Sequence, residues 1–240
     1  MSLFRKIIYI GLLFIGGCIN PKKDKLCESY YRLCNHLNLT DCAVENRYSI
    51  VTNDGDKEDL ILSFKEAENL PDFYKKKSAY LFGKIALEMM FSLDSLGLNQ
   101  SYSSIIISGI VNNKKEENKY SINSLKHSRE LVNKVDDFFS SVDANSSFNT
   151  IQNNTDTTFI KDSTLHSVLV GLKKMSKGGE VSEKYISGIA YDKIVETGQE
   201  ITIIVINRTR KLSQETFTFY FLNENKKIIF IDMQSSIDCN

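Results

Sequence analysis

A chain of 240 residues with 42% hydrophobic side chains can bury a substantial core, which excludes global disorder and leaves room for one large domain or two small ones. Its 30 basic and 30 acidic residues cancel, so no whole-molecule field draws in nucleic acid, and nucleic-acid binding is set aside. Tryptophan is absent and isoleucine and asparagine are plentiful, a bias that speaks of AT-rich coding rather than of function.

The chain opens with a basic head, Arg5 and Lys6, then an apolar run from Ile7 to Ile15, then Gly16 and Gly17 ahead of Cys18. This is the order of a secretory signal, expected over residues 1–17. The run is too short to span a bilayer core, which takes roughly 20 apolar residues. Ile15-Gly16-Gly17-Cys18 resembles the lipobox of bacterial lipoproteins. The resemblance implies that the Cys18 thiol receives a diacylglycerol, that the freed amine takes a further acyl chain such as palmitate, and that the protein is lipid-anchored in the cell envelope. Two or three chains hold a protein where one would be marginal. Which leaflet it occupies, and whether it faces the cell surface, stays open. Residues 18–25, "CINPKKDK", are expected to be a polar tether outside the fold, with one α+β domain over residues 26–240.

Removing Cys18 leaves Cys27, Cys34, Cys42 and Cys239, an even number that suggests two disulfides in an exported chain. Leu26, Tyr30, Leu33 and Leu37 recur at helical spacing in "KLCESYYRLCNHLNL". On a helix Cys27 and Cys34 would stand about 10.5 Å apart. Disulfide geometry ends near about 7 Å, so each is expected to pair with Cys42 or Cys239, in either of two ways.

The segment "TNDGDKED" reads as a solvated turn that caps a following helix; its acids do not match a calcium loop. From Phe73 to Leu96 a broad apolar stripe predicts a helix. Ser104–Val111, "SIIISGIV", reads as a strand. Leu125, Val132, Val135, Phe139 and Val142 predict a second helix, residues 145–158 a polar loop, and Leu165, Val168, Leu169, Leu172 and Met175 a third helix stopped by Gly178-Gly179. Residues 26–178 are thus expected to be mainly helical.

Residues 185–234 alternate instead. "YISGIAYDKIV", "EITIIVINRT", "ETFTFYFL" and "KKIIFIDM" predict four strands joined by short turns, an antiparallel meander. Phe217, Phe219 and Phe221 fall on one face, Thr216, Thr218 and Tyr220 on the other. Helices followed by a meander ending in "FYFLNENKKIIFIDMQ" resemble the NTF2-like, or cystatin-like, domains of small exported lipoproteins. That family hosts both enzymes and binding modules, so the likeness does not choose between them.

No nucleophile elbow, zinc-protease, P-loop or dinucleotide motif is present in the sequence. His36, His127 and His166 are scattered. Asp162, Ser163 and His166 lie within two helical turns, where an N-cap and a helix surface account for them better than a triad does. Arg208, Arg210 and Lys211 read as a solvated hairpin end. The expectation is a non-catalytic, membrane-anchored binding or envelope-structural module that meets a host or envelope protein, with no cofactor or metal. The competing reading is a small-ligand carrier or enzyme with a pocket between helices and sheet, lined by Tyr191, Phe217, Phe219 and Phe221; a filled core is the preferred account of those aromatics.

Overall fold

The computed structural model describes residues 21–49, 57–67, 70–143, 148–176, 180–211 and 213–237. The signal, the lipobox with Cys18, and Cys239 lie outside the described residues. In chain order the elements are α1 (Pro21–His36), β1 (Leu39–Thr40), β2 (Ala43–Ser49), β3 (Lys57–Ser63), β4 (Glu66–Ala67), α2 (Asp72–Lys76) and α3 (Ser78–Leu96). There follow β5 (Tyr102–Val111), β6 (Lys114–Ser121), α4 (Ile122–Asp143), α5 (Phe148–Gln152) and α6 (Asp162–Ser176). The chain ends in β7 (Val181–Lys193), β8 (Glu200–Arg210), β9 (Ser213–Leu222) and β10 (Lys227–Ile237).

The last four strands form the expected antiparallel meander, in the order β10-β9-β8-β7. Its alternation is obeyed: Phe217, Phe219 and Phe221 are fully buried, and α4 lies on them. The Phe139 ring packs edge-on against Phe217 at 4.9 Å and Phe219 at 5.6 Å, and Phe138 meets Phe219 at 5.5 Å. Each such ring contributes about 1.5–3 kcal/mol by leaving water. The mixed α+β class and the helix-covered meander are as the sequence predicts.

Residues 26–178 hold more strand than expected. A second four-stranded sheet runs in the order β2-β3-β5-β6, with β3 and β5 parallel and the outer pairs antiparallel. Only β5 was apparent from composition. Strand β6, "KKEENKYS", is a charged edge strand, the kind that guards a sheet against pairing with another chain. Asn112 and Asn113, both at positive φ, form the two-residue turn that leads into it. The expected solvated turn "TNDGDKED" is corrected at its end. Lys57 to Asp59 open β3, and the Asp59 side chain is buried rather than capping a helix.

The tether is corrected as well, because residues 21–25 belong to α1. Pro21 suits a first helical turn, where its missing N–H would have had no partner, and Lys23 ion-pairs with Glu58 at 3.6 Å. The apolar stripe of residues 73–96 is two helices broken at Lys77. Helix α3 is buried around its whole circumference from Tyr80 to Leu87, which marks it as the central helix. It packs on α1, α4, β5, β6 and β7, and so joins the two sheets. Its crossing with β7 is very close. A Cβ on Gly83 would stand 2.0 Å from the Ile189 carbonyl oxygen, and one on Gly188 would stand 2.7 Å from the Tyr80 Cβ.

Cys34, at the end of α1, is bonded to Cys42 ahead of β2, with the Cα atoms 6.7 Å apart. This is one of the two pairings the helical spacing allowed. Cys27 is a half-buried free thiol on the same helix.

Candidate functional site

A groove of about 740 Å3 opens where the end of β6, the first turns of α4, the end of β7, the start of β8 and the β9–β10 turn converge. Its geometry begins with a helix cap. The Ser121 Oγ accepts the Ser124 backbone N–H at 3.0 Å and lies 2.7 Å from the Ser124 Oγ, which fixes the head of α4.

Two tyrosines form the aromatic part of the groove. Tyr120 on β6 and Tyr191 on β7 have ring centroids 5.9 Å apart, tilted by 47°. The Tyr191 hydroxyl donates to the Ser124 carbonyl oxygen at 3.3 Å and lies 2.7 Å from the Ser128 Oγ. Burial pushes this phenol up to about 12, partly offset by the Ser128 hydrogen bond, so it stays protonated at any physiological pH. Burial, with Tyr191 adding to it, raises the Tyr120 phenol likewise. Neither tyrosine is a base here.

On the opposite side, Thr202 donates to the Asn223 Oδ1 at 2.7 Å, which leaves the amide nitrogen of Asn223 for the groove. His127, the sixth residue of α4, contributes a half-buried imidazole whose Nε2 is shielded from solvent and has no hydrogen-bond partner. Burial lowers its pKa; Lys226 and Lys134 lower it further, against a weaker pull from Glu130. The ring is therefore neutral at physiological pH.

The two lysines of the groove are paired with acids, while Asp192, also in its lining, accepts the backbone N–H of Lys193 at 2.8 Å. Lys119 pairs with the buried Asp59 at 3.0 Å, and Lys193 with Glu200 at 3.6 Å. Asp59 also accepts from the Ser103 and Ser104 hydroxyls at 2.7 and 2.6 Å. Burial would raise this carboxyl, but the bonds from Ser104, Ser103 and Lys119 outweigh it and hold it down to about 2.

Of the four aromatics foreseen as a pocket, Tyr191 alone lines this groove; Phe217, Phe219 and Phe221 fill the core beneath α4. Asp162, Ser163 and His166 lie exposed on α6, with Asp162 accepting from the Gln152 amide at 2.9 Å. His36 is exposed at the end of α1. Arg208 and Arg210 depart from expectation: they are 2% and 6% exposed and not a solvated hairpin. Both lean on Glu215, itself 1% exposed, at 3.5 and 2.8 Å, and the Arg208 guanidinium lies 4.3 Å from the Phe139 ring centroid. Among the described residues no group of three or more His, Cys, Asp or Glu could hold a metal ion, and no helix is long and apolar enough to cross a membrane.

No family model, no curated protein and no solved structure matches this chain.

Proposed function

We propose that the chain is a lipid-anchored exported binding protein that works without catalysis. In this reading Cys18 carries the acyl chains that hold it to the envelope membrane, and the groove at the head of α4 receives its ligand. The observation that carries the reading is the groove itself. It is concave and of ligand-site size, and it is lined by hydroxyls, amides and two tyrosine rings, of which Tyr191 is tied to α4 through its hydroxyl. The Cys34–Cys42 disulfide supports export, since such bonds persist in oxidising compartments. The filled phenylalanine core speaks against a pocket beneath the sheet.

The anchor is tested by growing cells with an alkyne fatty acid and comparing the chain with Cys18→Ala. The variant is expected to lose both label and membrane association; label retained on the variant overturns the anchor. Protease shaving of intact cells, with a periplasmic protein as the lysis control, then separates a surface site facing host or environmental molecules from one facing envelope partners.

A further inference from the structure

We infer that the end of the molecule formed by the head of α1 and the α3–β5 turn rests on the headgroups of the bilayer that holds the anchor, so that the lipid surface is itself a partner of the folded domain. The inference rests on reading Cys18 as the anchored residue, and it fixes which way the domain faces.

Reach comes first. Only Ile19 and Asn20 separate Cys18 from Pro21, where α1 begins. Consecutive Cα atoms stand about 3.8 Å apart, so Pro21 lies within about 11 Å of the acylated residue whatever path the chain takes. The headgroup layer on one side of a bilayer is itself roughly 5–7 Å deep. No spacer is left between the folded domain and the lipid.

The hold on α1 comes second. A helix that could peel away from the domain would lengthen the tether, and α1 is tied down along its length. Leu26, Tyr30 and Cys34 are buried, the Tyr30 hydroxyl donates to the Ser63 carbonyl oxygen at 3.0 Å, and Cys34 is bonded to Cys42. Whatever surrounds the head of α1 is therefore carried to the membrane with it.

Those surroundings come third. Lys23 pairs with Glu58 at 3.6 Å where β3 begins, the Glu58 backbone N–H donates to the Ser101 carbonyl oxygen at 3.2 Å, and a Cβ on Gly97 would stand 3.8 Å from the Lys22 Nζ. The α3–β5 turn from Gly97 to Ser101 thus lies beside the head of α1. It exposes Gly97, Gln100 and Ser101 and has no charge to strip of water. The head of α1 exposes both signs, Lys22 and Lys25 with Asp24, so the anchor and not the charge of the leaflet sets the contact. Register carries the same end across the first sheet. Glu58 stands beside Tyr102 and Ser104 beside Ser121, which is two strand spacings, or about 10 Å, across. Ser121 lines the groove, so the groove stands at the anchored end of the molecule and not at the end that points away from the membrane.

The chain contains no tryptophan, so a single introduced one reports its own position. The full acylated chain would be reconstituted in phosphatidylcholine vesicles doped with a dansyl-headgroup lipid. Energy transfer would be measured from Gln100→Trp in the turn and from Lys114→Trp at the far end of the first sheet, both at exposed positions. Strand β5, 10 residues long, puts about 30 Å between the two sites, and transfer from the turn is expected to be at least about threefold the greater. Cys18→Ala in the Gln100→Trp chain is expected to lose vesicle binding and transfer together. Equal transfer from the two sites, or more from Lys114→Trp, in a chain whose mass shows acylated Cys18 overturns the contact and leaves the anchor standing. A chain that carries no acyl group on Cys18 and does not bind the vesicles overturns the anchor, and the contact with it.

Discussion

Each of the two four-stranded sheets holds an ionic cluster, and the two clusters are built on opposite plans. In the first sheet the buried group is an acid, Asp59, which is satisfied by two short serine hydroxyls and by Lys119, whose side chain stays 60% exposed. In the meander two arginines share the Glu215 carboxylate, every partner is buried, and Arg208 lies against aromatic rings of the core. The first plan keeps one partner in water and so avoids most of the desolvation cost. The second takes three charges out of water together and recovers the cost only while the geometry is kept. The first sheet therefore has a cluster that tolerates change, and the meander has one that does not.

The sharpest way to break the contrast is Glu215→Leu. Losing the carboxylate that both arginines share is expected to cost about 3–5 kcal/mol in urea unfolding, and an effect below about 1 kcal/mol would show that the meander does not depend on it. Asp59→Asn should cost less, about 2 kcal/mol near neutral pH, from the lowering of its carboxyl to about 2. Because that carboxyl is lower when folded than unfolded, its contribution is complete above the ordinary carboxylate value of 3.8 and is lost as pH falls towards 2. Acid titration of the variant should lack that loss. The smallest effect belongs to His127. Its lowered pKa means that the unfolded chain takes up the proton first, so its contribution is complete above the ordinary imidazole value of 6.5 and declines as pH falls below it. His127→Leu should flatten the stability profile below 6.5 and leave it unchanged above.

The same contrast explains what could be read in advance. The meander was legible because β9 alternates, β8 is a β-branched run buried from Ile201 to Ile206, and the turns are short. Its parity carried more than was taken from it. Glu215 shares the face of Phe217, and Arg208 and Arg210 share the face of Ile204 and Ile206, so all three charges point to the covered side. Reading Arg208 and Arg210 as solvated weighed their charge above their position. The first sheet was less legible because β6 is an edge strand whose charged side chains hide its period, and because β3 pairs in parallel with β5 across two intervening helices. The Asn112-Asn113 turn was the available sign of β6. The groove could not be read because its walls come from residues 119–127, 191–193, 200–201 and 223, which only the folded chain brings together. Tyr191, expected to line a pocket together with Phe217, Phe219 and Phe221, lines the groove without them.

The crossing of α3 with β7 has a consequence for how any ligand enters. Gly83 lets the helix come down on the Ile189 carbonyl, and Gly188 lets the strand come up to Tyr80, so each chain occupies the notch of the other. A shift of β7 along the helix by one strand repeat would bring Ile186 or Ala190, each bearing a side chain, against Tyr80. The two sheets are thus keyed together rather than hinged. Since β6 belongs to one sheet and β7 to the other, the key also sets the spacing of the groove walls, from a point several residues away from the groove. The side chains left free to turn at the rim are then exposed ones such as Lys193 and Asn123.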